Sequence, residues 1–119
     1  MPIAIVDDDE ALREAMKSLV RSLGYGVSTF GSAEEFLKSE RISDISCLIT
    51  DLHMPGLSGL DLQERLIARG HRFPIIFLTA YPDEDVRIRA MKAGAIGFMR
   101  KPCSDEHLLG YLNKAFKAA

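Results

Sequence analysis

Five short runs of apolar and β-branched residues, each followed by a segment with apolar residues at helical spacing, constrain this chain more than any other feature. The runs cover residues 2–6, 27–30, 46–50, 74–79 and 96–99. Four to six mostly apolar residues between turn signals suit strands covered on both faces. The 27–30 run is more mixed and suits a place near the sheet edge. Between the runs, Leu12, Met16, Leu19, Val20 and Leu23 form one helical stripe, and Gly24 sits where a left-handed cap belongs. Ser32 with Glu35 matches a capping box ahead of Phe36 and Leu37. Leu62, Leu66 and Ile67 mark a third helix closed by Gly70. Asp83 caps a fourth, with Val86 and Ala90, that ends at Gly94. Ser104 caps a fifth, whose Leu108, Leu112, Ala115 and Phe116 face inward.

Alternating strands and helices predict a parallel sheet with helices on both faces, joined by right-handed crossovers. The count fits a flavodoxin-like, doubly wound five-stranded sheet of order 2-1-3-4-5 with five helices, folded as one domain over residues 1–119. In such a sheet the site lies beyond the carboxyl ends of the strands, where strand order reverses. Asp7, Asp8, Asp9 and Glu10 follow the first run. Asp51 follows the third, ahead of a Pro55-Gly56 turn. Thr79-Ala80 closes the fourth, and Lys101-Pro102 follows the fifth. Strands one and three are neighbours in this order, so the fold brings the first acidic group beside Asp51.

Clustered carboxylates raise one another's pKa, and a bound cation removes that penalty. A few hard oxygen ligands that leave room for water and phosphate suit Mg²⁺ better than a calcium cage, and Mn²⁺ is a plausible substitute. With such an ion bound, one carboxylate can attack a phosphoryl group. The Lys101 ammonium and the Thr79 hydroxyl then offer charge and a hydrogen bond to the phosphoryl oxygens. Taken singly, each residue has an ordinary reading: a helix-terminus acid, a turn acid, a strand-end hydroxyl, a turn lysine. Their convergence on one sheet edge is what points to a site.

The segments Val6-Asp7-Asp8, Leu48-Ile49-Thr50-Asp51-Leu52-His53-Met54-Pro55, Leu78-Thr79-Ala80 and Lys101-Pro102 together resemble the response-regulator receiver family of two-component signalling. Met54-Pro55 and Ser58-Gly59 look most like receivers of the FixJ type. The resemblance implies that Asp51 is the phospho-acceptor and also a metal ligand, and that Asp8 binds Mg²⁺ directly. It gives Asp7 a role through a metal-bound water and makes the His53 backbone carbonyl a further ligand. Lys101 would contact the phosphoryl group, aimed by a cis bond to Pro102. The donor would be a phosphohistidine on a sensor histidine kinase. Thr79 and Phe98 would form the switch, moving together when the phosphoryl group arrives and altering the face made by the fourth helix, fifth strand and fifth helix. Output would follow by homodimerisation or partner binding at that face. Any contact with DNA would be made by an output domain outside this chain, and only the FixJ-type analogy suggests one. His53 and Tyr81 flank the approach to the site, next to Ala80. On this reading the chain catalyses only its own phosphoryl uptake and slow autodephosphorylation.

Composition agrees with a signalling module and excludes several classes. Net charge is −2, with no basic block for nucleic acid. No stretch approaches the roughly 18 apolar residues of a membrane span, and the N-terminus lacks the pattern of a signal peptide. The cytoplasm is therefore the expected compartment. Cys47 and Cys103 have no metal or redox spacing, and His71 and His107 read as solvent-facing. The rival of a different class is a phosphohydrolase of the haloacid-dehalogenase type, which also uses an aspartate nucleophile and Mg²⁺. Asp7-x-Asp9 imitates its motif, but Glu10-Ala11 departs from it and the chain is short for a substrate cap. A flavin module would need a phosphate-binding loop where this chain places acids.

Overall fold

The computed structural model describes residues 2–101 and 104–117. Five parallel strands, β1 (Pro2–Val6), β2 (Gly26–Phe30), β3 (Cys47–Asp51), β4 (Ile75–Thr79) and β5 (Gly97–Arg100), pair in the order β2-β1-β3-β4-β5. Five α-helices alternate with them: α1 (Glu10–Ser22), α2 (Ala33–Leu37), α3 (Gly59–Ala68), α4 (Glu84–Lys92) and α5 (Asp105–Lys117). A 3-10 turn at Ile42–Asp44, not anticipated from the sequence, precedes β3.

Successive strand residues point to opposite faces, and this sorts the apolar residues into two layers. Ala4, Val6, Leu48 and Phe77 pack with Phe36, Leu62, Leu66 and Ala90, so α2, α3 and α4 cover one face. Ile3, Ile5, Ile49, Ile76, Leu78 and Met99 pack with Met16, Val20, Leu108 and Leu112 from α1 and α5 on the other. The continuous apolar runs of β3 and β4 are buried at every position, and mixed β2 lies at the edge.

Helix starts follow their capping residues. The Asp9 carboxylate accepts from Leu12 N, the Asp83 carboxylate from Asp85 N and Val86 N, and the Ser104 hydroxyl from His107 N. The box expected at Ser32 forms by half. Ser32 accepts from Glu35 N, while the Glu35 carboxylate takes Gly31 N instead of the Ser32 amide. A full box forms at Ser58 and Asp61, so α3 starts at Gly59, ahead of its first apolar marker. Gly24, Gly70 and Gly94 close α1, α3 and α4 with positive φ. His71 is half-buried against Phe73, at a ring separation of 5.7 Å, and not simply solvent-facing.

Candidate functional site

Every polar group expected at the site and described by the structure lies at the carboxyl edge of the sheet. Asp7 directly follows β1, and Asp51 is the last residue of β3 and not the first beyond it. The ladder runs on one step past it, since Leu52 N donates to Leu78 O at 2.8 Å. Asp51 is therefore held by sheet pairing and is only 5% exposed. Thr79 ends β4, fully buried. Lys101 follows β5, with its amide donating to Thr79 O at 2.8 Å. Strands distant in sequence thus deliver two acids, a hydroxyl and an ammonium to one place.

The Asp7, Asp8 and Asp51 carboxylates each offer an oxygen within 4.8 Å of the others. Asp7 and Asp51 are buried and Asp8 is exposed. The Lys101 ammonium bridges the buried pair, 3.1 Å from Asp7 Oδ2 and 3.2 Å from Asp51 Oδ2. Burial raises the Asp51 pKa, and the neighbouring Asp7 charge adds to the rise. Lys101 and the His53 amide, which donates to Oδ1 at 3.4 Å, oppose it without cancelling it. For Lys101, burial pulls the pKa down, but the contacts with Asp7 and Asp51 outweigh it and leave the ammonium above its ordinary value. One ammonium shared by two carboxylates satisfies neither in full.

The three carboxylates outnumber the one ammonium that bonds to them, and a divalent cation would offset the excess negative charge. The donors are all oxygens and few, as Mg²⁺ prefers at bonds of about 2.1 Å. The set therefore fits the expected ion, with Asp8 as its accessible member.

Around the pocket, the Thr79 hydroxyl oxygen accepts from Tyr81 N at 3.0 Å, which leaves its proton free to donate elsewhere. Tyr81 is 75% exposed, and its ring lies edge-on to that of His53 at 6.0 Å. Ala80 beside them is exposed. Phe98 is half-buried on β5, with its ring 6.3 Å from that of Phe77. It also lines an open groove of about 560 Å³ with Arg100, Lys101, Ser104, His107 and Tyr111. The expected Lys101–Pro102 cis bond and Cys103 lie outside the described residues.

Sequence reasoning gave no role to Arg13 beside this site or to Gln63 further along α3, and quoted Gly59 only as part of a resemblance. Gly59 opens α3, where a Cβ would come within 2.5 Å of Asp51 O. Arg13 donates from Nη1 to Asp7 O at 2.7 Å. Gln63, buried, donates to Ala90 O at 3.1 Å and ties α3 to α4. The Ser58-Gly59 start of α3 was open to a capping reading. A long side chain's choice of one distant carbonyl leaves no local pattern.

The order β2-β1-β3-β4-β5 and a polar site at its reversal point define a flavodoxin-like α/β protein. A family model described as response regulator receiver domain matches residues 3–113, and the chain belongs to that family. It is 46% identical over 117 residues to response regulator protein TodT of Pseudomonas putida, covering 98% of this chain and 52% of TodT. Against the transcriptional regulatory protein FixJ of Bradyrhizobium diazoefficiens, identity is 36% over 117 residues, covering 98% of this chain and 57% of FixJ. The chain thus spans about half the length of these curated relatives. The crystal structure of FixJ-N superposes with a TM-score of 0.86 at 32% identity, covering 99% of this chain and 94% of that one. Response regulator StyR superposes at 0.89 with 43% identity, over 98% of this chain and 59% of StyR. The protein is a receiver domain of two-component signalling, similar to FixJ-type receivers, and the phosphohydrolase reading falls away. Receiver domains of response regulators take their signal from histidine kinases. Among the described residues, no helix is long and apolar enough to cross a membrane.

Proposed function

We propose that Asp51 accepts a phosphoryl group from a phosphohistidine of a sensor histidine kinase, in a reaction that needs Mg²⁺ or Mn²⁺. An Asp51 carboxylate oxygen attacks phosphorus, the P–N bond breaks, and its electron pair stays on the histidine ring. The observation that carries this reading is the ammonium of Lys101 held 3.2 Å from Asp51 and 3.1 Å from Asp7 within one acidic pocket. That ammonium needs only a small turn to reach an oxygen of a group built on Asp51. Asp8, exposed, and Asp51 would hold the ion directly, Asp7 would act through a bound water, and the His53 carbonyl would complete the protein's share. The ion supplies charge neutralisation at the phosphoryl oxygens.

Thr79 then turns its free hydroxyl proton toward a phosphoryl oxygen. Phe98 follows into the vacated space, and the face of α4, β5 and α5 is remodelled. The half-burial of Phe98 beside an open groove supports this, because such a ring has room to move. Release to water is slow, and Tyr81 over the mouth screens the incoming molecule. The remodelled face forms a homodimer or binds a partner, and the output is transcriptional, through a DNA-binding domain beyond residues 1–119 as in FixJ-type regulators. The cytoplasm is the compartment in which a sensor kinase would meet it.

The test is labelling with a small phosphodonor. Wild type should take up one phosphoryl group with Mg²⁺ and none with chelator. Asp51→Asn should lose the label, and Tyr81→Ala should shorten its lifetime. Equal labelling of wild type and Asp51→Asn would refute the assignment.

A further inference from the structure

We propose that Arg13 is a positioning residue of the acidic pocket, holding the peptide between Asp7 and Asp8 so that the Asp8 carboxylate faces a divalent cation, and so setting the cation affinity. The proposal rests on the metal-dependent reading above. Asp7 is tethered at each polar atom. Its amide donates to Phe30 O at 3.1 Å, its Oδ1 accepts from Asp9 N at 2.9 Å, and its Oδ2 accepts from Lys101. The remaining acceptor, the Asp7 carbonyl, takes Arg13 Nη1 at 2.7 Å, the shortest of the four contacts. That carbonyl belongs to the same planar peptide as the Asp8 amide, so fixing it fixes the direction in which Asp8 leaves the strand.

Arg13 also lies close to the turn after β2. It is half-buried on the second turn of α1, and its Nη1 lies beside Gly31, where an added Cβ would sit 3.5 Å from both Nη1 and the Glu35 carboxylate. Glu35 in turn accepts from Gly31 N at 3.0 Å. The guanidinium thus bonds the loop after β1 and lies close to the turn after β2. A lysine in the same place would keep a charged donor for the Asp7 carbonyl, though not the planar guanidinium.

Charge and position predict opposite effects, which makes the proposal testable. A guanidinium acting only through its field repels a cation, so removing it would tighten Mg²⁺ binding. A guanidinium that holds the Asp7–Asp8 peptide favours binding, so removing it weakens the site. Outer residues that orient metal ligands are worth roughly 10- to 100-fold in affinity. Calorimetric titration of metal-free protein with Mg²⁺ should show Arg13→Met binding about tenfold more weakly than wild type. Arg13→Lys, which keeps a donor, should recover most of the difference. Small-phosphodonor labelling should show a raised Mg²⁺ requirement for Arg13→Met with an unchanged rate at saturating Mg²⁺. If Arg13→Met does not keep the native circular dichroism spectrum, Arg13→Gln carries the same expectation. Unchanged or tighter Mg²⁺ binding by the folded variant overturns the proposal and leaves the functional reading standing. Absence of Mg²⁺ binding by wild type overturns both.

Discussion

At the residue scale, Asp51 trades stability for chemistry. Its folded-state pKa is raised, chiefly by burial, so the native state holds its proton more tightly than the unfolded chain does. The contribution to stability is therefore complete below the ordinary aspartate range and is lost as pH rises through the folded-state value. At neutral pH the ionised Asp51 costs stability, and Asp51→Asn should raise the melting temperature of metal-free protein by a few degrees. The gain should shrink as pH falls toward about 4, and Mg²⁺ should narrow it by stabilising wild type more than a variant that lacks the Asp51 carboxylate. A melting series over pH checks both signs. Gly59 is constrained differently, because a Cβ there would lie 2.5 Å from Asp51 O and 3.0 Å from Leu52 Cα, both backbone atoms that cannot swing aside. Gly59→Ala should cost about 1–3 kcal/mol in denaturant unfolding, the usual range for overpacking. Cys47 shows the opposite case of a reactive type made inert. Burial pushes its thiol up to about 12, so native protein should resist alkylation at Cys47 and react only on unfolding.

At the scale of elements, the strand runs and helix caps were legible because each rests on local chemistry. Asp83 illustrates this: one carboxylate accepts from two amides at the start of α4. Asp83→Ala should destabilise the domain by about 1 kcal/mol, measurable as a shift in the denaturation midpoint. The exposed Glu84–Arg87 pair on the same helix should contribute far less, since solvent screens it. What local chemistry did not disclose was where pairing stops. Residue 51 was expected just past its strand, yet a neighbouring carbonyl, Leu78 O, extends the ladder beyond it. The half-formed box at Ser32 has the same origin. Glu35 had two amides within reach, and the turn after β2 offered Gly31 first.

For the whole molecule, strand order was legible because alternation of short apolar runs with helices admits few topologies. The order then converts separated acids into neighbours, and for that reason Asp7, Asp8, Asp51, Thr79 and Lys101 could be placed together before any coordinate was known. Arg13 and Gln63 could not, because their partners are main-chain carbonyls chosen by three-dimensional packing. The two apolar layers share the sheet, so a deletion in either should weaken one cooperative unit. Ile49→Ala, fully buried beneath α1 and α5, should cost about 2–5 kcal/mol without splitting the unfolding transition. The central claim concerns which carboxylate at this shared edge carries the phosphoryl group. Phosphorylated protein can be reduced with borohydride, which converts an aspartyl phosphate to homoserine, and then mapped by peptide mass spectrometry. The account predicts homoserine in place of Asp51 alone, and only when Mg²⁺ was present during labelling. Modification at Asp7, Asp8 or Asp9 with Asp51 intact would contradict it.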